Sequence, residues 1–375
     1  MQPKTRTDHF RAIQKNIRNR LSEFKLDCFL ITSLPHVRYI SGFSGSAGLC
    51  LIFNNSKYFI TDKRYTEQAA KEISGWKIIP SQNDIFETIA ENNLIPNNYR
   101  IGIDGNNLTF AQYQNLKKLF PNNRVLPKAG FIEDVAIVKD AYEIEQITKA
   151  VEISDKVFSK ILNIIKPGIR ELDISAEITY LHKKFGAERD AFEPIVASGI
   201  NSAFPHARSS SKKLRKGDII TIDIGCVVNG YNSDMTRTIF LGKPARPSGE
   251  PKSDTVKIYR TVLSAQLNAI EAAIEGLTYK ELDAVARNTI TNADYSEYFT
   301  HSLGHGVGLQ IHEPPRLSVK TPGNLKADTV VTIEPGIYIP NFGGVRIEDI
   351  IVISRQRNKQ HPNILTQSTK EMIIL

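Results

Sequence analysis

Hydrophobic positions near the start of the chain recur at helical spacing: Phe10, Ile13, Ile17, Leu21 and Phe24 share one face and predict a first helix. Beyond it, short apolar runs alternate with amphipathic stretches. DCFLIT (27–32), HVRYISGF (36–43), GLCLIF (48–53), KYFIT (57–61), WKIIP (76–80) and RIGIDG (100–105) read as strands. Patterns at 62–73, 84–92 and 109–119 read as helices, and NNSK reads as a hairpin turn. Together they predict an α/β unit over residues 1–135, without a catalytic cluster of its own.

The pattern changes near FIEDVAIVKD (131–140). A long amphipathic helix is predicted over roughly 140–165, stopped by Lys166-Pro167-Gly168. Two segments then repeat. Gly168 opens GIRELDISAEI and Gly276 opens GLTYKELDAVARNTI, 108 residues later, each after an apolar helix. LRKGDIITIDIG (214–225) and LKADTVVTIEPG (325–336) lie 111 residues apart, with Asp223 and Glu334 at the same place in the run. Residues 136–375 therefore read as two related halves that meet at a shared site.

A carboxylate inside an apolar strand is costly unless something pairs with it or binds it. Each half supplies a second acid. Asn229-Gly230 predicts a two-residue turn that pairs Val228 with Tyr231 and Asp223 with Thr236, so that Asp234 shares the face of Asp223. In the second half the partner is Glu348. It shares a face with Glu334 only if their connection has an odd number of residues or a bulge. Four carboxylates in one cavity repel. Two divalent cations would balance them, with His305, set among glycines in HSLGHGVGLQIHE, completing the donor set. Oxygen donors with one imidazole suit manganese, with cobalt or zinc as alternatives. Such paired ions activate water and polarise a carbonyl, so hydrolysis is the expected chemistry. Taken singly, these residues have plainer explanations: a strand ion pair for Asp223, loop chemistry for Asp234, a structural histidine, an exposed strand end for Glu348. The repeated framework carries the metal reading.

Composition narrows the field further. Hydrophobic residues make up 41% of the chain, charged residues 23%, and no apolar run is long enough to span a membrane. The start has no apolar core of the secretory kind. Cys28, Cys50 and Cys226 form no CxxC pair and sit in apolar runs, which fits free buried thiols and a cytoplasmic location. The net charge of +8 is dispersed along helices among acidic residues, so neither nucleic acid nor membrane is an expected partner. GHGVGL is not GxGxxG, GFSGSAG is not GxSxG, and Arg316 stands where the second histidine of HExxH belongs.

TIDIG, NSDMTRT, SLGHGVGLQIHE, TIEPGIY and GVRIED together resemble the pita-bread metallopeptidases, and among them the Xaa-Pro peptidases, aminopeptidase P and prolidase. LPHVRYISGFSGS (34–46) and TDKRY (61–65) are similar to the amino-terminal domain of that group, so the resemblance covers essentially the whole chain. It implies a creatinase-like α/β N-terminal domain (1–135) followed by an α+β pita-bread (creatinase/aminopeptidase-like) catalytic domain (136–375) with internal pseudo-twofold duplication. It implies two divalent metal ions held by Asp223, Asp234, His305, Glu334 and Glu348, with Asp234 and Glu348 bridging them. His206 and His312 would hold substrate and stabilise the oxyanion, Glu334 would also shuttle the proton, and Arg346 would belong to the active-site hydrogen-bond network. The implied substrate is a peptide or dipeptide with proline second, and the implied assembly a homodimer. The contrasting reading is a non-catalytic pita-bread scaffold or binding protein, against which the intact ligand set counts. Arg316 and Lys320 stand equally as cations for a dipeptide carboxylate or as solvated surface, leaving substrate length open.

Overall fold

The first helix, Arg6–Glu23, starts at Thr5, whose side chain accepts the Asp8 N–H, and it buries Ile13, Ile17 and Leu21. The computed structural model describes residues 5–243, 254–355 and 362–375. Its two compact units are Met1–Ala136 and Ile137–Leu375. The first unit is built on a six-stranded mixed sheet in the order Lys77–Ser81, Lys57–Asp62, Leu49–Phe53, Cys28–Ile31, Arg100–Asp104, Arg124–Lys128. Pro80 and Pro127 both fall in the outermost strands, where a residue without an N–H breaks no ladder. Cys28 and Cys50 are free and buried in this sheet, and Cys226 is free and buried in the second unit.

One predicted strand is a helix. HVRYISGF belongs to Leu34–Ser41, with Ser33 at the N-cap position, Pro35 in the first turn and Gly42 closing it at φ 83°. His36, Val37, Tyr39, Ile40 and Ser41 are buried. Val37, Tyr39 and Ile40 suggest a strand by composition, but the start and stop residues and the buried helical face override it. The edge strand Arg124–Lys128 is absent from the sequence pattern, because Pro127 argues against a strand anywhere but at an edge.

The second unit repeats itself. Its leading helix, Ala141–Ile161, opens on a capping box between Asp140 and Glu143 and ends about a turn before the predicted stop. Helices Glu171–Lys184 and Tyr279–Asn292 each follow a left-handed glycine, Gly168 at φ 92° and Gly276 at φ 94°. Gly168 N–H donates to the Leu214 carbonyl and Leu214 N–H to the Ile169 carbonyl; Gly276 N–H donates to the Leu325 carbonyl and Leu325 N–H to the Leu277 carbonyl. The duplication read from the sequence is thus repeated bond for bond. One four-stranded sheet carries Ile195–Ser198, Ile219–Ile224, Met235–Phe240 and Ile373–Ile374, and one five-stranded sheet carries Glu313–Leu317, Gly304–Gly306, Val330–Ile333, Asp349–Val352 and Asn363–Ile364. Behind the first, Ile220, Ile222 and Ile239 pack on Val157, Ile174 and Ile178. Behind the second, Val331, Ile333 and Ile351 pack on Val262, Ala286 and Ile290. Each such aliphatic burial contributes roughly 1.5–3 kcal/mol to holding the two sheets in place.

Candidate metal centre

Two hairpins deliver the acids. In the first, Val228 pairs with Tyr231 and Asp223 with Thr236, as the Asn229-Gly230 turn predicts. In the second, Ile339 pairs with Gly343, so Pro340, Asn341 and Phe342 form a three-residue connection. That number is odd. The pairs Ile333–Asp349 and Gly336–Arg346 on either side keep one register, which carries Glu334 opposite Glu348. His305 comes from the strand Gly304–Gly306, whose glycines let backbone approach backbone: a Cβ on Gly304 would stand 2.0 Å from the Thr332 carbonyl oxygen.

The side chains converge. His305 Nε2 lies 3.5 Å from Glu334 Oε1 and 3.6 Å from Asp234 Oδ2. Donor atoms of Asp234, His305 and Glu348 all fall within 4.8 Å of one another. His305 Nδ1 is 3.1 Å from the Gly306 carbonyl oxygen. A carbonyl only accepts, so Nδ1 carries the proton and Nε2 turns a lone pair toward the two carboxylates. Burial, with His312 nearby, pushes the His305 pKa down to about 4, which keeps the ring neutral. Burial pushes the Asp223 carboxyl up against the opposing pull of Arg346. Burial, then the Glu348 charge, raises Asp234 and Glu334 well above the ordinary carboxylate range. Burial, then Asp223, takes Glu348 to about 8.

Asp223 Oδ2 accepts a 2.6 Å bond from Arg346 Nη2, yet Asp223 Oδ1 is buried without a hydrogen-bond partner. Oxygen donors, one imidazole lone pair and an orphaned carboxylate oxygen in one place suit divalent cations. The donor set fits that group.

A polar layer lies behind the acids, and beyond Arg346 the sequence pattern reveals little of it. Arg346 donates to Thr236 Oγ1 at 2.9 Å, to the Tyr338 hydroxyl at 2.9 Å and to the Pro205 carbonyl at 3.0 Å. Thr236 in turn donates to Glu348 Oε2 at 2.7 Å. The Tyr338 hydroxyl lies 3.0 Å from His301 Nε2. Arg237, fully buried, donates to the Thr236 and Glu348 carbonyls and to Asp349 Oδ1, tying together the strands that carry the acids. Thr236 has a signal in its predicted pairing with Asp223; Tyr338, His301 and Arg237 have none beyond proximity in sequence.

The five donors open onto a cavity of about 980 Å³. His206 and His312 line it, with the His312 ring centroid 4.3 Å from that of His305. Phe192, Ile195 and Ile311 supply apolar wall. Arg316 also lines it, from the position paired with His305, whereas Lys320 is exposed and does not.

Metallopeptidase family M24 matches residues 145–355, and the Creatinase/Prolidase N-terminal domain matches residues 14–138. The chain belongs to metallopeptidase family M24. A Xaa-Pro dipeptidase from Pyrococcus furiosus is 39% identical over 353 residues, covering 94% of this chain and 97% of the relative. Among solved structures, a Xaa-Pro dipeptidase from Bacillus anthracis matches with a TM-score of 0.90 at 38% identity, covering 98% of this chain and 100% of that one. An X-Pro aminopeptidase from Thermotoga maritima matches at 0.87 and 34% identity, covering 96% of this chain and 99% of that one. The M24 protein is therefore a metallopeptidase hydrolase with a creatinase-type amino-terminal domain and a pita-bread catalytic domain, in a family whose chemistry uses divalent metal ions. No described helix is long and apolar enough to cross a membrane.

Proposed function

We propose that this M24 protein hydrolyses the bond between an N-terminal residue and proline, with Xaa-Pro dipeptides as its substrates. The observation that carries the hydrolytic reading is the convergence of Asp223, Asp234, His305, Glu334 and Glu348 on one cavity, with one oxygen of Asp223 buried and unpartnered. These five residues would hold two divalent ions, manganese by the hardness of the mostly oxygen donors, and the ions would supply Lewis acidity for the scissile carbonyl and for an attacking water. Glu334 would take the proton from the water and return it to the proline nitrogen, which has no hydrogen of its own and must gain one to leave. His206 and His312 would donate to the oxygen on which charge develops. Arg346 would keep Asp223 ionised and aimed through its 2.6 Å bond.

Arg316 supports dipeptides over longer chains, because it alone of the two cations singled out in the sequence lines the cavity, where it can pair with a proline carboxylate. The relatives include both Xaa-Pro dipeptidases and an X-Pro aminopeptidase, so the preference for dipeptides rests on Arg316. A homodimer and a cytoplasmic location belong to the same reading; light scattering checks the first and fractionation of the native cells the second. The deciding experiment strips the protein of metal, reloads it with manganese and offers Ala-Pro, Ala-Pro-Ala and Ala-Ala, alongside Asp234→Asn. Cleavage of Ala-Pro alone, lost in the variant, is expected. Cleavage of Ala-Pro-Ala at comparable rate would make the protein an aminopeptidase P instead, and no cleavage of either proline peptide would refute the Xaa-Pro reading.

A further inference from the structure

The two Gly-led helices of the duplicated unit each turn one acid inward. Glu171 is the first residue of its helix and Asp283 the fifth of the other, so the two occupy the same face one turn apart. Both are completely buried. Neither belongs to the donor set, and neither lines the cavity.

Glu171 closes a loop. Its Oε1 accepts the Ser198 N–H at 2.7 Å, the Ser198 hydroxyl at 2.7 Å and the Asn201 amide at 3.2 Å. Its Oε2 accepts the Ser210 N–H at 3.1 Å, the Ser210 hydroxyl at 2.6 Å and the same Asn201 amide at 3.2 Å. One oxygen therefore holds the start of segment 198–210 and the other its end. His206 stands inside that segment, exposed on the cavity wall with no structural bond of its own among those described. Its neighbour Pro205 presents the carbonyl that Arg346 binds.

Asp283 does the equivalent in the other half. It accepts the Leu303 N–H at 3.1 Å and takes Arg287 through Nε at 2.8 Å and Nη2 at 3.0 Å. Arg287 reaches on to the Phe299 carbonyl at 3.1 Å and the His301 carbonyl at 3.0 Å. The segment so held runs directly into the strand of His305.

We propose that Glu171 and Asp283 are paired positioning residues: each anchors the segment that brings its half's histidine to the centre, Glu171 for His206 and Asp283, through Arg287, for His305. This rests on the roles given to those histidines above. The physical case is that His206 is exposed and makes no bond of its own among those described, so its aim is set by what holds the segment around it: Arg346 on the adjacent Pro205 carbonyl, and one rigid carboxylate on both ends. Ser198 N–H and Ser210 N–H can only donate, and each uses a different oxygen. Glutamine at 171 keeps one oxygen, so one of these two N–H bonds is lost and that end is held only by what remains, the sheet pairing of Ser198 with Ile220 or the Leu172 N–H on the Ser210 carbonyl.

The test is a double-mutant cycle with manganese-loaded protein and Ala-Pro, joined to calorimetric titration of manganese into the metal-free protein. Glu171→Gln should lower kcat/KM about tenfold, the ordinary effect of losing a supporting hydrogen-bond partner, and leave manganese affinity within about twofold. In a His206→Ala background the same change should cost less than about twofold, because the residue it acts through is already gone. Asp283→Asn should behave oppositely and weaken manganese binding about tenfold. Ser210→Ala, a milder cut of the Glu171 tie, goes through the same cycle with the same two outcomes should Glu171→Gln fail to fold. A full tenfold loss in both backgrounds, or equal loss of manganese affinity in both acid variants, overturns the proposal and leaves the site reading standing. A His206→Ala enzyme with unchanged kcat/KM overturns the role of His206 and the positioning of it together.

Discussion

Arg346 Nη2 and Asp223 Oδ2 lie 2.6 Å apart, and the bond satisfies one oxygen of Asp223 while leaving the other buried and unpartnered. The same guanidinium spends three of its other four hydrogens on Thr236, Tyr338 and Pro205. Five donors in a rigid fork allow this, and the three of an ammonium do not. Arg346→Lys should therefore keep the charge, lose the simultaneous contacts and lower kcat/KM for Ala-Pro roughly 10- to 100-fold. Steady-state kinetics on manganese-loaded protein, with circular dichroism to show the fold is kept, decides it. A lysine variant with near-normal kcat/KM would mean that charge alone is what Asp223 requires.

The acids also set how the metal-free protein responds to pH. Burial and mutual repulsion hold Asp234, Glu334 and Glu348 above their ordinary values, Glu348 at about 8. The folded chain thus binds more protons than the unfolded chain once pH exceeds the unfolded carboxylate range. Stability from these groups is full at and below that range and is lost as pH rises toward about 8. Imidazoles held neutral in the fold, His305 at about 4, act in the opposite sense up to about pH 6.5. Metal-free protein should therefore melt at progressively lower temperature from about pH 6.5 to pH 8, and manganese should reverse most of that loss while releasing protons. Thermal melts with and without chelator across this window test the sign. A chelated protein whose melting temperature rises over the same window would show that the acids are not crowded as described.

Much of this centre is legible in the sequence, and the parts that are not share a cause. Asn229-Gly230 settles a two-residue turn, and a period of two then fixes every pair in the first hairpin, including Asp223 with Thr236. The second hairpin is legible only as a condition, because NFGG does not reveal which residues pair: Asn341 at φ 61° lies in the three-residue connection that satisfies it, and Gly343 at φ 153° opens the return strand. At Leu34–Ser41 composition argues for a strand and the capping residues for a helix, and the caps prevail. Tyr338 and Arg237, on strands, and His301, in a loop, stay hidden because a polar residue looks the same in sequence whether it meets solvent or another buried group. Only tertiary placement turns them into a chain of bonds from His301 through Tyr338 to Arg346.

Substrate length should rest on Arg316. A charge-assisted bond to a carboxylate is worth about 1.5–3 kcal/mol, so Arg316→Ala should raise KM for Ala-Pro roughly 10- to 100-fold with little change in kcat. The parent enzyme should show the same defect on Ala-Pro amide, which lacks the carboxylate. The variant and the parent should then be alike on the amide. If Arg316→Ala also loses activity on the amide, the side chain is aligning strand Glu313–Leu317 beside His305 and is not reading the substrate.

Two glycines separate close approach from backbone freedom. A Cβ on Gly304 would sit 2.0 Å from the Thr332 carbonyl oxygen and 2.9 Å from Thr332 Oγ1, the atom that accepts the His305 N–H at 3.1 Å. Backbone cannot yield as a flexible side chain can, so Gly304→Ala must push its strand outward, at about 1–3 kcal/mol or more, and carry His305 away from Glu334 and Asp234. Gly168 has φ 92° and nothing within 4 Å of where a methyl would stand, so Gly168→Ala strains only its own backbone, by roughly 1–2 kcal/mol. Both variants should melt a few degrees lower, about 2–4 °C for each kcal/mol in a unit of this size. Only Gly304→Ala should lose manganese affinity in calorimetric titration. Equal affinities in the two variants would mean that His305 is aimed by something other than the contact of its strand with Thr332.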